Sequence, residues 1–448
     1  MSSVSTSTRI FHYVLSNSLV AAVTNAFVRF AMTYRVFLET QSIIATSFIA
    51  WIFAVCNAAS SFVFGSIVDH NKKKAVMLWS TVLSLVLYSM AAIMYFSTPE
   101  AVFSNPSSVW LWILIVVLML GSIAWWLRII ALSTLVSLLI PLEQHANANG
   151  KIGIMNGLSF TITSVASGLV IGFLGMWRAL IVAVGLSMLV TLHLLTITIP
   201  EKDIIHTEGN QSTFAVKQTI ALIWTVPGLF ALIFFTTFNN FLGWVFMALM
   251  DAYGLSLMSV QTWWILRWVL SIGFIAGWML ITKFGLWKNP VKTMFLINCI
   301  TRWVCIFFTI QASIVLLAAW MLIWLICSPF IEAAENTIVQ KVVPYEKQGR
   351  VFGFAHSVES AASPITTFLI GPLTQLVFIP FMTTGAGVEL IGSRFGTWMN
   401  RGIALVFTIA WIVGLCVTLI ARYSKYYTLL SDQYASSSVE PAPSPETV

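Results

Sequence analysis

From Ile43 to Val68 the chain runs for 26 residues without one charged side chain. At about 1.5 Å per residue a helix of that length exceeds the ~30 Å hydrocarbon core of a bilayer. Uncharged or nearly uncharged runs of this kind recur along the whole 448 residues. They fit roughly twelve helices of the ~20 residues a membrane span needs. Composition carries the same constraint: 58% of the residues are hydrophobic and 9% are charged, where a soluble domain has about 25% charged. The runs are continuous rather than alternating, which excludes a transmembrane β-barrel. The expected fold class is an all-α membrane protein with twelve transmembrane helices in two six-helix bundles.

The spans are read near 10–38, 43–68, 75–96, 108–140, 151–175 and 178–199, then near 217–250, 257–283, 291–311, 313–343, 348–380 and 400–424. The most polar internal stretch, residues 200–216, divides them six and six and is the natural linker between two halves. The expected organisation is an N-terminal bundle over 1–199, the linker 200–216, a C-terminal bundle over 217–424 and a disordered cytosolic tail over 425–448, whose end is rich in Ser and Pro. With both termini placed in the cytosol, fifteen of the 23 Lys and Arg residues fall on the inner face. Three, Arg178, Arg394 and Arg401, fall outside and five lie within spans. That asymmetry predicts a multi-pass plasma-membrane protein with cytosolic termini. The polar start with Arg9 lacks a small-residue cleavage site and reads as an uncleaved anchor.

Several function classes drop out. The net charge of +7 comes from bases scattered at helix ends, which is a topology pattern and not a nucleic-acid surface. The five cysteines lie in apolar runs without CxxC or Cys/His spacing, so no metal or cluster is expected, and no other cofactor. No G-x-x-x-x-G-K-[ST] occurs, which removes ATP as the direct energy source.

The two halves repeat one another. Thr134-Leu-Val-Ser-Leu-Leu-Ile-Pro141-Leu-Glu143 parallels Thr337-Ile-Val-Gln-Lys-Val-Val-Pro344-Tyr-Glu346 at an offset of 203, which also pairs Gly150 with Gly353 and Gly168 with Gly371. Both copies close the fourth helix of their half, the mark of a duplicated six-helix unit. Between helices 2 and 3 stands Gly65-Ser-Ile-Val-Asp69-His-Asn-Lys72-Lys73-Lys74. With twelve spans and a central linker, this segment resembles the major facilitator superfamily, whose loop signature is G-x-x-x-D-[RK]-x-G-[RK]-[RK]; His70 and Lys72 depart from it. The segment Val343–Gly353 is similar to the loop between helices 10 and 11 in the macrolide, siderophore and multidrug exporter branch. The resemblance implies that Asp69 latches a gate in the outward-facing state. Physically, Gly65 permits close helix approach, and Asp69 can pair with a base or with the amino end of a neighbouring helix. Lys72, Lys73 and Lys74 are expected at anionic headgroups.

Ionisable groups far from helix ends are the informative residues, because each costs roughly 2.5 kcal/mol or more at mid-bilayer unless paired or hydrated. Arg128 in helix 4 and Glu332 in helix 10 lie at similar depth, and the repeat sets them opposite one another. An ion pair between the halves is therefore expected, one that weakens as the halves rock. Glu335 is one turn from Glu332, and His356 is one turn from Glu359, so these four are the candidates for proton coupling. The alternative reading has the acids permanently paired with Arg128, Arg267 or Arg302. Arg267 and Arg302, in outer-type helices, are expected to pair within the C-terminal half or snorkel. Candidate cavity residues are Asn25 and Arg29 in helix 1, Asn239, Asn240 and Trp244 in helix 7, and Trp125, Trp126 and Arg128 in helix 4. Amides such as Asn25 or Asn239 serve equally well as helix–helix hydrogen bonders.

The expected function is secondary active transport, with proton-coupled export of amphipathic or hydrophobic compounds by alternating access. Uptake or flipping of a lipid-like or metabolite substrate remains open, and an intramembrane enzyme built on Glu332 and Glu335 is the more distant alternative; no catalytic set is expected. Membrane lipids, a small-molecule substrate and protons are the expected partners, nucleic acid is not, and the chain is expected to act as a monomer.

Overall fold

The computed structural model describes residues 2–40, 43–103, 105, 108–201 and 216–437. Among them there are helices and no strands. The N-terminal half contains α1 (Ser2–Thr40), α2 (Ile43–His70), α3 (Lys73–Ser97) and α4 (Val109–Leu139). The continuous helix His145–Thr196 then breaks at Gly175, whose φ of 77° a residue with a Cβ rarely adopts, into α5 (145–174) and α6 (176–196). The second half contains α7 (Leu229–Leu257), α8 (Val260–Phe284), α9 (Pro290–Phe307), α10 (Ile314–Val342), α11 (Gln348–Leu373) and α12 (Met399–Arg422). Eleven helical segments among the described residues are long and apolar enough to cross a membrane. Together with the 145–174 arm they give the twelve-helix count.

Two segments differ from the sequence expectation. The seventh span does not run from 217 to 250 without a break, because Pro227 and Gly228 turn the chain between a short helix, Val216–Thr225, and α7. Gly228 has φ 79°, and a Cβ there would meet Tyr426 O and Leu430. Nor is the tail disordered over its first half: Lys425–Ser436 forms α13. Leu430 and Ser431 are buried there, Asn289 Nδ2 donates to Ser431 Oγ at 2.7 Å, and Lys341 lies 4.2 Å from the Tyr434 ring. The spacing Tyr427, Leu430, Tyr434 supplies an apolar face against the second half. Residues 438–448, and 202–215 of the expected linker, lie outside the described residues.

Packing differs at the two ends of the bundle. Where α1 begins and α12 ends, here called the terminal face, one apolar cluster draws on both halves: Phe11, Leu139 and Ala148 join Val291, Val342 and Val351. At the opposite face each half has its own cluster, Val36, Tyr95, Leu111 and Met176 in one, and Tyr253, Phe308, Leu317 and Ile403 in the other. Among the described residues the halves are therefore closed together at the terminal face and form separate clusters at the other.

Candidate transport site and gate

Closure at the terminal face rests on α2 against α11. A Cβ on Gly353 would stand 2.6 Å from Ser61 O and 2.7 Å from Gly65 Cα, so the two backbones meet with no room for side chains. One turn further Asp69 caps α11: Gly349 N–H donates to Oδ1 (2.6 Å), and Arg350 donates to Oδ2 from its backbone N–H (2.9 Å) and from Nε (3.2 Å). A buried carboxylate at a helix amino end is satisfied by the orphan N–H groups and by the end of the macrodipole together. A second contact between halves joins α4 and α5 to α10, where Asn149 Nδ2 donates to Thr337 Oγ1 (3.1 Å) and Gln340 Oε1 (2.9 Å), and Gln340 Nε2 donates to Ser133 O of α4 (3.0 Å).

The lysines of this loop do not act alike. Lys73 is buried, with Nζ donating to Val68 O at 2.9 Å and lying 5.0 Å from the Tyr345 ring centre, so it caps the end of α2 and is not a headgroup anchor. Lys72 precedes α3 as its N-cap residue, and Lys74 Nζ donates to Leu195 O at 3.2 Å from an exposed position. The backbone N–H groups of Lys73 and Lys74 donate to the Glu201 carboxylate at 2.5 and 2.8 Å. Sequence reasoning missed Glu201 because it sits 127 residues or more from the helix it caps.

Arg128 does not pair with Glu332. It is 1% exposed, and its donors are taken within its own half by Ser18 Oγ (3.2 Å), Thr81 Oγ1 (2.8 Å) and Asn17 Oδ1. Asn17 in turn donates to Val190 O and approaches His193 Nδ1, tying α1, α3, α4 and α6 together. Equal depth on two helices fixes height and leaves the direction round the helix open, which is why the pairing argument failed. Arg302 is buried in the second half, donating to Asn239 Oδ1 at 2.5 Å with its guanidinium 4.6 Å from the Trp411 ring. Asn239 is thus engaged with Arg302. Arg267 pairs with Asp251.

The acids converge elsewhere. Thr236 Oγ1 on α7 lies 3.0 Å from Glu335 Oε1 on α10 and 2.8 Å from Glu359 Oε1 on α11. The same hydroxyl lies 3.2 and 3.0 Å from the carbonyls of Leu232 and Ile233. A hydroxyl has one proton to donate, so it serves one of these four acceptors. Any second close contact to a carboxyl oxygen then needs its proton from the carboxyl. Glu332 lies one turn from Glu335 on α10 and is exposed. Among the described residues no ion pair joins any of the three acids to a base. Thr236 carried no charge to draw attention in the sequence; its signal was only its place one turn before Asn239 and Asn240.

His356 does not hydrogen-bond Glu359. Its ring packs on Trp126 across the halves, with centroids 4.2 Å apart, and Nε2 is buried without a partner. Trp126 also lines a cavity of about 200 Å³ in the N-terminal half, together with Trp125, Asn25 and Arg29. The Asn25 amide is committed: it accepts from Tyr88 Oη at 2.7 Å and donates to Ala21 O at 2.8 Å. Asn240 donates to Thr236 O at 3.2 Å, and Trp244 is 38% exposed; neither lines this cavity.

Residues 14–367 match the profile of the Major Facilitator Superfamily. The chain belongs to this superfamily. It is 21% identical over 372 residues to macrolide efflux protein A of Streptococcus pyogenes, covering 80% of this chain and 88% of that one. In fold it is similar to a bacterial homologue of the iron transporter ferroportin in its outward-facing state, with TM-score 0.63 and 13% identity over 90% of this chain and 99% of that one. A human organic anion transporter matches with TM-score 0.62 and 10% identity, covering 92% and 99% of the two chains. The proton:xylose symporter XylE matches with TM-score 0.56 and 12% identity over 90% of this chain and 96% of that one. These likenesses show the facilitator fold. The chain is a multi-pass membrane transporter and not an enzyme. The Asp69 contacts and the Gly65/Gly353 crossing join the two halves of this transporter at the terminal face.

Proposed function

We propose that this chain is a proton-coupled exporter of amphipathic or hydrophobic small molecules, held in the plasma membrane with both termini cytosolic. The observation that carries the reading is the convergence of Glu335 and Glu359 on the single hydroxyl of Thr236. Two carboxyls drawn to one donor, with no base beside them, hold a proton in this arrangement and repel one another without it. Thr236, Glu335 and Glu359 come from α7, α10 and α11, so a shift of any of these helices changes how well the proton is held. The closed terminal face supports a state open on the far side, where an exporter releases substrate and collects protons. The likeness to a macrolide efflux protein supports the outward direction of transport, and the apolar interior with its tryptophans supports an amphipathic cargo. Each turnover then moves a proton inward through the acids and a substrate outward by rocking of the two halves.

The test is transport by the purified chain in proteoliposomes under an imposed pH gradient, with a panel of small amphipathic aromatic dyes, anionic, neutral and cationic, as substrates. Gradient-driven movement is expected in the wild type, with its loss in Glu335→Gln and in Glu359→Gln. Equal movement with and without the gradient overturns proton coupling.

A further inference from the structure

We infer that the cavity of the N-terminal half is an anion site, in which the Arg29 guanidinium takes the carboxylate of an aromatic organic anion. This deepens the transport reading above by naming the chemical class of its cargo. Arg29 differs from the other buried or half-buried arginines of the bundle. The donors of Arg128 are taken by Asn17, Ser18 and Thr81, Arg302 donates to Asn239, Arg350 to Asp69, and Arg401 to backbone carbonyls of Phe395, Thr309 and Ile310. Arg29 lies against two ring faces, 5.5 Å from the centre of Phe30 and 5.4 Å from that of Phe53. Among the described residues Tyr88 is the titratable neighbour that acts on it electrostatically, and no carboxylate pairs with it. Phenyl faces attract the cation but accept none of its in-plane hydrogen bonds.

The cavity supplies what is missing. Its volume of about 200 Å³ compares with the ~150 Å³ of an apolar cavity that holds benzene, so one aromatic ring system with a small polar group fits. Trp125, Trp126 and Phe160 give that ring a wall. The hydrogen-bonding groups facing it are largely committed: Asn25 to Tyr88 and Ala21, Ser122 to Leu118 O, and Ser159 to Asn156 O. What remains is the planar Arg29 fork, which matches a carboxylate through two parallel hydrogen bonds, with the Asn156 amide across the cavity. A cationic head placed here meets Arg29 as a like charge. The far wall of the path has the opposite character, since Trp126 packs on His356, one turn from Glu359. The site thus keeps the substrate's negative charge on one half and the proton on the other.

The experiment is calorimetric titration of the detergent-purified full chain with three probes on one ring system: 1-naphthoate, 1-naphthalenemethanol and 1-naphthylmethylammonium. The wild type is expected to bind naphthoate at least tenfold more tightly than the ammonium. Arg29→Gln is expected to weaken naphthoate at least tenfold while leaving the alcohol within twofold, and Arg29→Lys to fall between. Equal or tighter binding of the ammonium by the wild type overturns the proposal without any variant, so a misfolded Arg29→Gln protein does not protect it. Unchanged naphthoate affinity in a folded Arg29→Gln protein overturns it as well. Binding of lysophosphatidate in the absence of naphthoate binding overturns it in favour of a lipid phosphate. These titrations need no gradient: naphthoate binding without gradient-driven transport removes the proton-coupled reading and leaves the anion site, and coupled transport of neutral or cationic compounds alone does the reverse.

Discussion

Arg128 and the Glu335/Glu359 pair are both ionisable groups deep in the bundle, and they are treated in opposite ways. Arg128 has three acceptors from two helices, α1 and α3, all neutral and all in its own half, so its charge is spread over a rigid network. The two acids share one hydroxyl that two backbone carbonyls also approach, so together they have more acceptors than donors. A buried charge whose hydrogen bonds are complete behaves as a structural part. A buried acid short of donors meets its deficit by holding a proton, and changes state when that proton leaves. The network around Arg128 lies in the N-terminal half, and the acids short of donors lie in the C-terminal half.

The comparison can be broken most sharply at the acids. The double variant Glu335→Gln, Glu359→Gln is expected to lower gradient-driven transport by about tenfold or more, because intramembrane carboxyls are the groups that relay protons. Substrate exchange without a gradient is expected to persist. Next in size is the gate. Leucine at Gly353 forces α2 from α11, and overpacking of this kind costs about 1–3 kcal/mol. Since 1.4 kcal/mol is about tenfold in an equilibrium, the population open at the terminal face is expected to rise, read as labelling of a cysteine introduced at Ser61. Asp69→Asn keeps the shape, removes the charge facing the α11 amino end, and is expected to shift the same labelling by a smaller step of about 1–2 kcal/mol. The smallest effect on coupling is expected at Arg128. Arg128→Lys loses the fork that reaches Asn17, Ser18 and Thr81 and is expected to cost about 1–3 kcal/mol of stability by thermal melting. The ratio of gradient-driven to gradient-free transport is expected to be unchanged. A selective loss of that ratio in Arg128→Lys would erase the distinction between the two regions.

How much of this could be read from the residues follows from what lipid demands. The spans, the division into halves and the family were legible because a bilayer forces apolar runs of fixed length, and because a duplicated chain leaves its offset in Thr134–Glu143 and Thr337–Glu346. The Pro227-Gly228 break was also present in the letters, hidden inside a run whose hydropathy does not change. In the tail, Ser/Pro composition sets in only after Ser436; before it, Tyr427, Leu430 and Tyr434 carry a helical period. The site was less legible. Burial depth can be counted along a helix, but which neighbour a side chain faces depends on packing, so Arg128 was matched with the wrong partner. Lys73 looked like a headgroup anchor because a lysine at a loop usually reaches water, and here its ammonium closes the end of α2. Thr236 was overlooked because one hydroxyl in mid-helix has no distinctive spacing, and its role comes from two carboxyls 99 and 123 residues away.

The central claim is that the proton carried against substrate resides on the Glu335/Glu359 pair. The most direct measurement is proton flux itself, followed with a pH indicator trapped in proteoliposomes as substrate is driven across by its own concentration gradient. The account predicts substrate-dependent proton movement in the opposite direction in the wild type and in Arg128→Lys, and none in Glu335→Gln, Glu359→Gln, which still exchanges substrate. Undiminished proton movement in the double variant would contradict it.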